Sequence, residues 1–128
     1  MSQKTESIAI AITNQGDVFH AGYANILDLP EFFDIDVTKT VLSILDDGKQ
    51  LQVIFGKAYG EDPIHILLGD DFEVEFMQPC GIVYTDFSLG SYGHGNLGVI
   101  GPSRLDYPYI IPVVRYFGTL LSEVTKEW

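Results

Sequence analysis

Apolar and polar residues alternate along the first part of the chain. Isoleucines stand at every second position from Ile8 to Ile12, which is the spacing of a strand with one buried face. Residues 14–17 (Asn-Gln-Gly-Asp) are typical of a turn, and residues 18–23 are again apolar enough for a strand. The pattern therefore predicts a β-hairpin over residues 7–23.

The spacing then becomes helical. Residues 24–34 mix helix and turn signals and are expected to pack apolar side chains against a sheet. Asp34 or Asp36 can cap the next helix, because a short acceptor there satisfies free backbone N–H groups. That helix is indicated by Val37, Val41, Leu42 and Leu45. It either ends near residues 46–48 or continues through Leu51, Ile54 and Phe55.

The second half predicts more strands and one long helix. Strands are expected over residues 64–68, 81–87 and 97–100, with a weaker one over 72–77, a loop over 59–63 and a Gly-rich connection over 88–95. The amphipathic C-terminal helix is marked by Ile110, Val113, Val114, Phe117, Leu120, Leu121 and Val124. If it begins near Asp106, Pro108 fits its first turn, whereas Pro112 removes a hydrogen bond and is expected to bend it.

The order β-β-α-β-(β)-β-β-α predicts an α+β fold with a mostly antiparallel sheet and flanking helices. A chain of 128 residues favours one domain. We assign residues 1–6 to a flexible tail and residues 7–128 to a single domain.

Composition narrows the function classes. The chain carries 18 acidic and 7 basic residues, a formal charge of −11, with no Lys or Arg between Lys57 and Arg104. Nucleic acid binding requires basic side chains that neutralise the phosphates, so we expect this acidic chain to make no direct DNA contact. By the same reasoning, we expect no binding to anionic membranes. No apolar run reaches the roughly 20 residues that span a bilayer, and no signal peptide is visible, so a cytoplasmic location is expected. The single cysteine, Cys80, fits a reducing compartment and is expected to be a buried hydrophobe.

Three patterns in the sequence resemble catalytic or ligand-binding motifs only weakly. Residues 93–98 match G-x-G-x-x-G, but they open a strand rather than the helix that would receive a pyrophosphate. His20, His65 and His94 are too widely spaced for common zinc motifs. Ser88, Ser91 and Ser103 lack the G-x-S-x-G elbow of hydrolases. We therefore assign no catalytic, cofactor-binding or metal-binding residues and expect no enzyme activity and no cofactor.

The polar clusters favour structural roles. Asp70 and Asp71 follow a strand and are typical of a solvated turn. Ser103 and Asp106 have the spacing of a capping box. Arg104 can fork onto a carboxylate or onto the carbonyls of a neighbouring segment, or it can contact a partner.

Three ordered segments resemble the heat-inducible transcription repressor family HrcA. Residues 22–32 (GYANILDLPEF) are similar to G-x-x-N-(I/L)-L-x-x-P-E-F, and residues 64–71 are similar to the strand before I-G-x-E-N, with Asp70 and Asp71 in place of Glu-Asn. Residues 98–107 (GVIGPSRLDY) resemble G-V-I-G-P-T-R-M-D-Y. The signature residues, in a structural or partner-contact role, are Gly22, Asn25, Pro30, Glu31, Phe32, Gly69, Gly98, Gly101, Pro102, Ser103, Arg104, Asp106 and Tyr107.

The resemblance implies a GAF-like C-terminal domain of a cytoplasmic negative regulator of heat-shock (chaperone) genes. Because the match begins near residue 18, the winged-helix DNA-binding domain of full-length members is not expected in this chain. The family implies a homodimer or a DNA-binding repressor partner, and a GroEL-type chaperonin as a further partner. The alternative is a stand-alone GAF-like sensor of small molecules or proteins, with Tyr84, Tyr92 and Tyr107 lining a pocket.

Overall fold

A computed structural model describes residues 7–22, 24–55, 64–72 and 77–125, without the side chains of Gln50, Asp70, Phe72 and Tyr92. Its strands are β1 (Ile8–Thr13), β2 (Val18–Ala21), β3 (Ile64–Leu68), β4 (Cys80–Ser88) and β5 (His94–Pro102). They form one sheet in the order β2-β1-β5-β4-β3, and every neighbouring pair is antiparallel. The predicted loop over 59–63 and the predicted tail over 1–6 lie outside the described residues.

The hairpin at the start of the chain is confirmed. The amide of Thr13 donates to the carbonyl of Asp17 at 3.0 Å, and Gly16 turns the chain with a φ of 90°. Strand β2 ends at Ala21, earlier than predicted, because Gly22 has a φ of 89° and leads away from the sheet. Of the two hairpin strands, only β2 is therefore shorter than the apolar pattern indicates.

Two short elements follow β2, namely α1 (Ala24–Leu27) and a 3-10 turn (Pro30–Phe32). They lead into the two helices of the first helical layer, α2 (Ile35–Asp46) and α3 (Gly48–Phe55). Asp34 caps α2 as predicted, since its Oδ1 accepts from the amide of Asp36 at 2.9 Å. The open question at residues 46–48 is resolved by Asp47, which is extended and whose Oδ1 accepts from the amide of Lys49 at 3.1 Å. One helix therefore ends there and a second begins.

The helices α2 and α3 cover one face of the sheet. Alternate residues of the strands point into this layer and join the helices in the larger core, which includes Ile8, Ile10, Ile12, Val41, Ile44, Leu51, Ile54, Ile82, Tyr84 and Ile100. The hydroxyl of Tyr84 donates to the carbonyl of Phe55 at 2.7 Å, so this buried phenol is satisfied. The face is solidly packed where Tyr84 lies.

A single long helix, α4 (Tyr107–Val124), covers the other face over β4 and β5. Val83 and Val99 pack there against Ile110 and Val114. Gly118 lies so close to β4 that an added Cβ would stand 2.5 Å from Cγ2 of Thr85. The Thr85 side chain of β4 therefore packs directly against the backbone of α4 at Gly118.

The α+β, GAF-like fold with a mostly antiparallel sheet is confirmed. Strand β5 begins at His94, three residues before the predicted start. A strand over 72–77 is not supported where it is described, because Phe72 ends a 3-10 turn (Gly69–Phe72) and Met77 lies outside any strand, while residues 73–76 lie outside the described part. Of the described helices, none combines the length and apolar character needed to cross a membrane.

Helix α4 continues through Pro112, which is exposed on its surface, and the bend expected there stays a prediction. Two other expectations for α4 are corrected. The capping box is wrong, because Asp106 itself is the N-cap and makes no side-chain capping bond. The predicted apolar side is only partly buried, since Phe117, Leu120 and Val124 are 38%, 41% and 58% exposed.

Candidate functional site

The signature residues gather at one end of the sheet. Strands β1 and β4 begin there, and β2, β3 and β5 end there, as the antiparallel registers require. The three sequence segments therefore meet at this end, although up to 85 positions separate Gly22 from Tyr107. We call the group formed by Glu31, Gly69, Pro102, Ser103, Arg104 and Tyr107 the signature corner. Gly98 is the exception, because it lies in the middle of β5.

A forked ion pair joins two of the segments. Arg104 donates from Nε to Oε2 of Glu31 at 2.7 Å and from Nη2 to Oε1 at 3.2 Å. The Glu31 side chain is 20% exposed and that of Arg104 is 53% exposed. The hydrogen bond from Arg104 lowers the pKa of Glu31 below its ordinary 4.5, against the opposing effect of burial. The fork expected for Arg104 is thus present, and its acceptor is Glu31.

Hydrogen bonds fix the chain between β5 and α4. The amide of Ser103 donates to the carbonyl of Pro79 at 2.8 Å, which ties the corner to the start of β4. The hydroxyl of Tyr107 donates to the carbonyl of Ser103 at 2.5 Å, and burial raises the pKa of this phenol. The carbonyl of Asp106 accepts from the amide of Ile110 at 2.9 Å and so starts the helix. These bonds hold a tight strand-to-helix turn.

Cys80 lies beneath this corner and is chemically quiet. Its side chain is completely buried, and it pairs with Pro102 at the start of β4. Burial, with a smaller contribution from the charge of Glu31, raises the pKa of the thiol to about 12. Because the thiolate is the reactive form, this cysteine is not an activated nucleophile.

The other signature residues hold the backbone. Gly69 has a φ of 46°, and an added Cβ would stand 3.2 Å from the carbonyl oxygen of Gln78. The side chain of Asn25 donates to the carbonyl of Ser7 at 3.4 Å. Pro30 begins the 3-10 turn, and Phe32 is buried in the larger core. Gly101 pairs with Gly81 across β4 and β5.

The histidines do not assemble a catalytic or metal site in the described residues. His20 lies on β2 and His65 on β3, which are the two opposite edges of the sheet. His65 is nearly buried beside the ring of Tyr84, with Nε2 3.5 Å from Oδ2 of Asp86. The described part of the chain holds no cluster of three or more His, Cys, Asp or Glu side chains placed for a metal ion.

The Gly-rich run and the acidic pair behave as connections. Residues 94–98 of G-x-G-x-x-G are part of β5, so no helix N-terminus follows that loop. Gly93, with a φ of 114°, ends the 3-10 turn (Gly90–Tyr92) before the strand. Oδ2 of Asp71 accepts from the amide of Leu68 at 3.0 Å, which closes the turn after β3.

The pocket expected from three tyrosines does not form. Tyr84 points into the larger core and Tyr107 packs on the opposite face, while the side chain of Tyr92 lies outside the described set. A polar cleft of about 390 Å³ lies instead at the other end of the sheet, lined by Thr13, Asn14, Gln52, Phe55, Asp86, His94 and Asn96. Several of these groups are hydrogen-bonded to one another. The side-chain amide of Asn96 donates to Asp86, and that of Gln52 donates to the carbonyl of Asn14. Sequence reasoning missed this cleft because its residues, from three strands and helix α3, come together only in the tertiary structure.

Comparison with known proteins gives a consistent result. The model of the HrcA protein C-terminal domain matches residues 1–111. Heat-inducible transcription repressors HrcA from Desulforudis audaxviator and Pelotomaculum thermopropionicum are 35% and 31% identical, in each case over 86% of this chain and 32% of the relative. A third, from Ruminiclostridium cellulolyticum, is 29% identical over 92% of this chain and 34% of its own length. The chain thus spans about a third of the length of these relatives.

A solved structure supports the fold. A crystal structure at 2.2 Å resolution, described only as that of a hypothetical protein, superimposes with a TM-score of 0.70 and 16% identity, over 85% of this chain and 33% of the other. That likeness concerns the fold alone. With the family match over most of its length and the signature segments assembled at one corner, the chain belongs to the HrcA C-terminal domain family.

Proposed function

We propose that this chain is the regulatory part of an HrcA-type repressor of heat-shock genes, which acts through protein contacts and neither reads DNA nor catalyses a reaction. The observation that carries the proposal is the family match over residues 1–111, which includes all three segments of the signature corner. In this proposal residues 7–128 work as one domain in the cytoplasm. The signature residues hold the fold or contact a partner.

Charge supports the absence of DNA contact. The described basic residues are Lys39, Lys49, Arg104 and Arg115, and Arg104 is engaged by Glu31. A protein that binds DNA through several phosphates needs a cluster of Lys or Arg side chains on one face, whereas this chain has a formal charge of −11. Any reading of an operator therefore belongs to another domain or another protein.

The proposed partners are a second copy of the chain or a DNA-binding repressor, and a GroEL-type chaperonin. The curated relatives are about three times as long as the matched region. In a protein of that length, the matched region would regulate the remaining two-thirds of the chain. A domain with no activity of its own regulates such parts by contact, through association or by changing their arrangement. The signature corner, with Arg104 half exposed, is the polar part of the surface offered for such contacts.

A graft tests the regulatory role. The matching third of the Desulforudis repressor is replaced by this chain, and a reporter under that repressor is followed before and after a temperature rise. We expect the graft to repress at low temperature and to release on heating. A graft that behaves like the repressor with the same third deleted, although it is folded by circular dichroism, would contradict the proposal.

Direct DNA binding is tested separately with the chain alone. Fluorescence anisotropy of a labelled operator duplex at about 50 mM salt, where phosphate contacts are strong, should show no change on adding the chain. Saturable, salt-sensitive binding would overturn the proposed division of labour. Co-purification with a GroEL-type chaperonin, compared between the chain and its Arg104→Ala variant, tests the chaperonin contact.

A further inference from the structure

Helix α4 carries more apolar surface than the sheet covers. Ile110, Val114 and Gly118 face the sheet and are buried. A second row of large apolar side chains is exposed, and we call it the outer stripe: Tyr109, Tyr116, Phe117, Leu120 and Val124. At about 100° per residue these five positions fall within an arc of about 100° beside the buried row. A helix that served only this sheet would have polar residues on that arc.

The outer stripe lies on the side of α4 that overlooks β5 and β1. The amide of Leu89 donates to Gly93 across the β4–β5 hairpin, so the backbone groups of Ser88 point the other way, toward β3. Ser122 Oγ accepts from the amide of Ser88 at 3.0 Å, which places Ser122 on the β3 side. On the helical wheel the stripe and Ser122 are on opposite sides of the buried row.

The sheet on that side has an uncovered apolar floor in the described structure. Ala11 stands opposite both Leu97 and Phe19, and Ala9 stands opposite Ala21, so all five share the face on which α4 lies. Phe19 is 63% exposed. A shallow hollow of about 200 Å³ is lined by Ala9, Ile10, Ala11, Phe19, His20, Ala21 and Leu97. We call it the alanine floor.

The alanine floor and the outer stripe form one surface. Leu97 is the direct neighbour of Thr85 on β4, and Thr85 contacts Gly118 of α4. The edge of the helix therefore adjoins the floor, with the helix as a wall and small alanine side chains as the base. Such a step of about one helix diameter accepts an apolar helix from outside.

Charge selects the occupant. None of the residues of the outer stripe or the alanine floor is acidic, although the chain as a whole has a formal charge of −11, and Glu123 lies only at the border of the stripe. A basic partner would be drawn to the acidic parts of the surface instead. A second copy, equally acidic, is repelled elsewhere and can approach only where the acids are missing.

The area is sufficient for a weak dimer. The outer stripe and Phe19 are each 38–63% exposed. With about 200 Å² per large side chain, they offer on the order of 600 Å² per copy, hence on the order of 1,200 Å² for two copies. That is the lower end of the range for specific interfaces, where weak and transient association is typical.

We infer that two copies of this domain associate face to face, each placing the outer stripe of α4 on the alanine floor of the other. The contact is isologous, because stripe and floor lie side by side on the same face and a two-fold axis between them matches each with its counterpart. The inference rests on the self-association proposed above and names the surface that carries it.

Sedimentation velocity over about 1–500 μM tests this surface. We expect the wild-type chain to shift from monomer to dimer, and Phe19→Glu on the floor and Tyr116→Glu on the stripe each to weaken the dimer at least tenfold. The matched controls are Phe33→Glu and Val53→Glu, which change residues 71% and 63% exposed on the helical layer of the other face and should alter the dissociation constant less than twofold. Tyr116→Ser, with its melting temperature recorded, guards against a folding defect.

The outcomes separate the two proposals. A dimer that survives both face variants overturns this surface, whether or not the controls weaken it, and leaves self-association intact. A wild-type chain that stays monomeric up to the highest concentration overturns self-association itself. A dimer weakened by the face variants alone supports both.

Discussion

At the residue scale, the pair formed by Glu31 and Arg104 is the most specific contact in the signature corner. Its fork bridges segments 73 positions apart, but Arg104 is 53% exposed, so solvent screens the interaction. We expect Arg104→Ala to lower the free energy of unfolding by about 1 kcal/mol, or the melting temperature by roughly 4 °C. Arg104→Lys should recover only part of this, because an ammonium group cannot fork.

Thermal melts followed by circular dichroism measure this loss. Arg115→Ala, which removes an exposed arginine from α4, is the matched control and should melt within a degree or two of wild type. An unchanged melting temperature for Arg104→Ala would favour a partner-contact role for Arg104 over a structural one.

The same pair predicts a pH dependence. The pKa of Glu31 is lowered in the folded chain, so the folded state binds fewer protons than the unfolded state below the ordinary value of 4.5. The stabilisation is therefore complete above about pH 4.5 and is lost as the pH falls through the lowered pKa. In urea titrations, the difference in unfolding free energy between wild type and Arg104→Ala should be constant near neutral pH and shrink as the pH falls below about 4.5. A difference that grows on acidification would contradict the assignment.

Cys80 should report on opening of the corner. With a pKa of about 12 and no exposed surface, its thiol is expected to resist an aromatic disulfide reagent at pH 8 in the native chain. In denaturing urea the reagent should react at once with one thiol per chain. Fast labelling of the native chain, at the rate seen in urea, would show that the corner is open in solution.

At the element scale, the closeness of β5 to β4 depends on Gly98. A Cβ at this position would stand 2.1 Å from the carbonyl oxygen of Val83 and 2.6 Å from Cβ of Tyr84, so the strands would have to move apart. We expect Gly98→Ala to cost more than about 2 kcal/mol in urea unfolding. Gly118→Ala is the comparison variant. Its added Cβ would meet a methyl group of the Thr85 side chain and not backbone, and alanine favours a helix over glycine by about 1 kcal/mol, so we expect a smaller loss. Equal losses for the two variants would argue against the backbone conflict at Gly98.

Most elements could be predicted because their signals are local. The isoleucine alternation of β1, the turn at Gly16 and the cap at Asp34 each depend on a few neighbouring residues. The capping box failed because Ser103 instead donates its amide to Pro79, a long-range partner that no local motif announces. The early start of β5 was missed for a related reason, since His94 and Gly95 become strand only by pairing with Ser88 and Phe87.

The apolar side of α4 illustrates a further limit. Periodicity shows that a helix has an apolar side, but not how much of it one sheet can cover. The sequence pattern assigns Phe117, Leu120 and Val124 to the core with Ile110 and Val114, whereas the sheet buries only the latter two. The remaining apolar residues become visible as a surface only when the position of α4 over β4 is known.

At the scale of the whole molecule, the sheet order brings distant segments together. The resemblance indicated which residues matter, and the antiparallel registers place nearly all of them at one end of the sheet. The polar cleft at the other end was not predicted, because its residues come from four elements without a shared motif. Sequence patterns thus indicated the family and the fold class, while the surfaces available for contact required the tertiary structure.

The central claim is that this domain associates with a second copy of itself and does not bind DNA. Sedimentation velocity of the chain in the same cell as a fluorescently labelled operator duplex, at about 50 mM salt, tests both halves at once. We expect the protein boundary to move from monomer to dimer with rising concentration while the DNA sediments as free duplex. DNA that sediments with the chain, or protein that remains monomeric at about 500 μM, would contradict the claim.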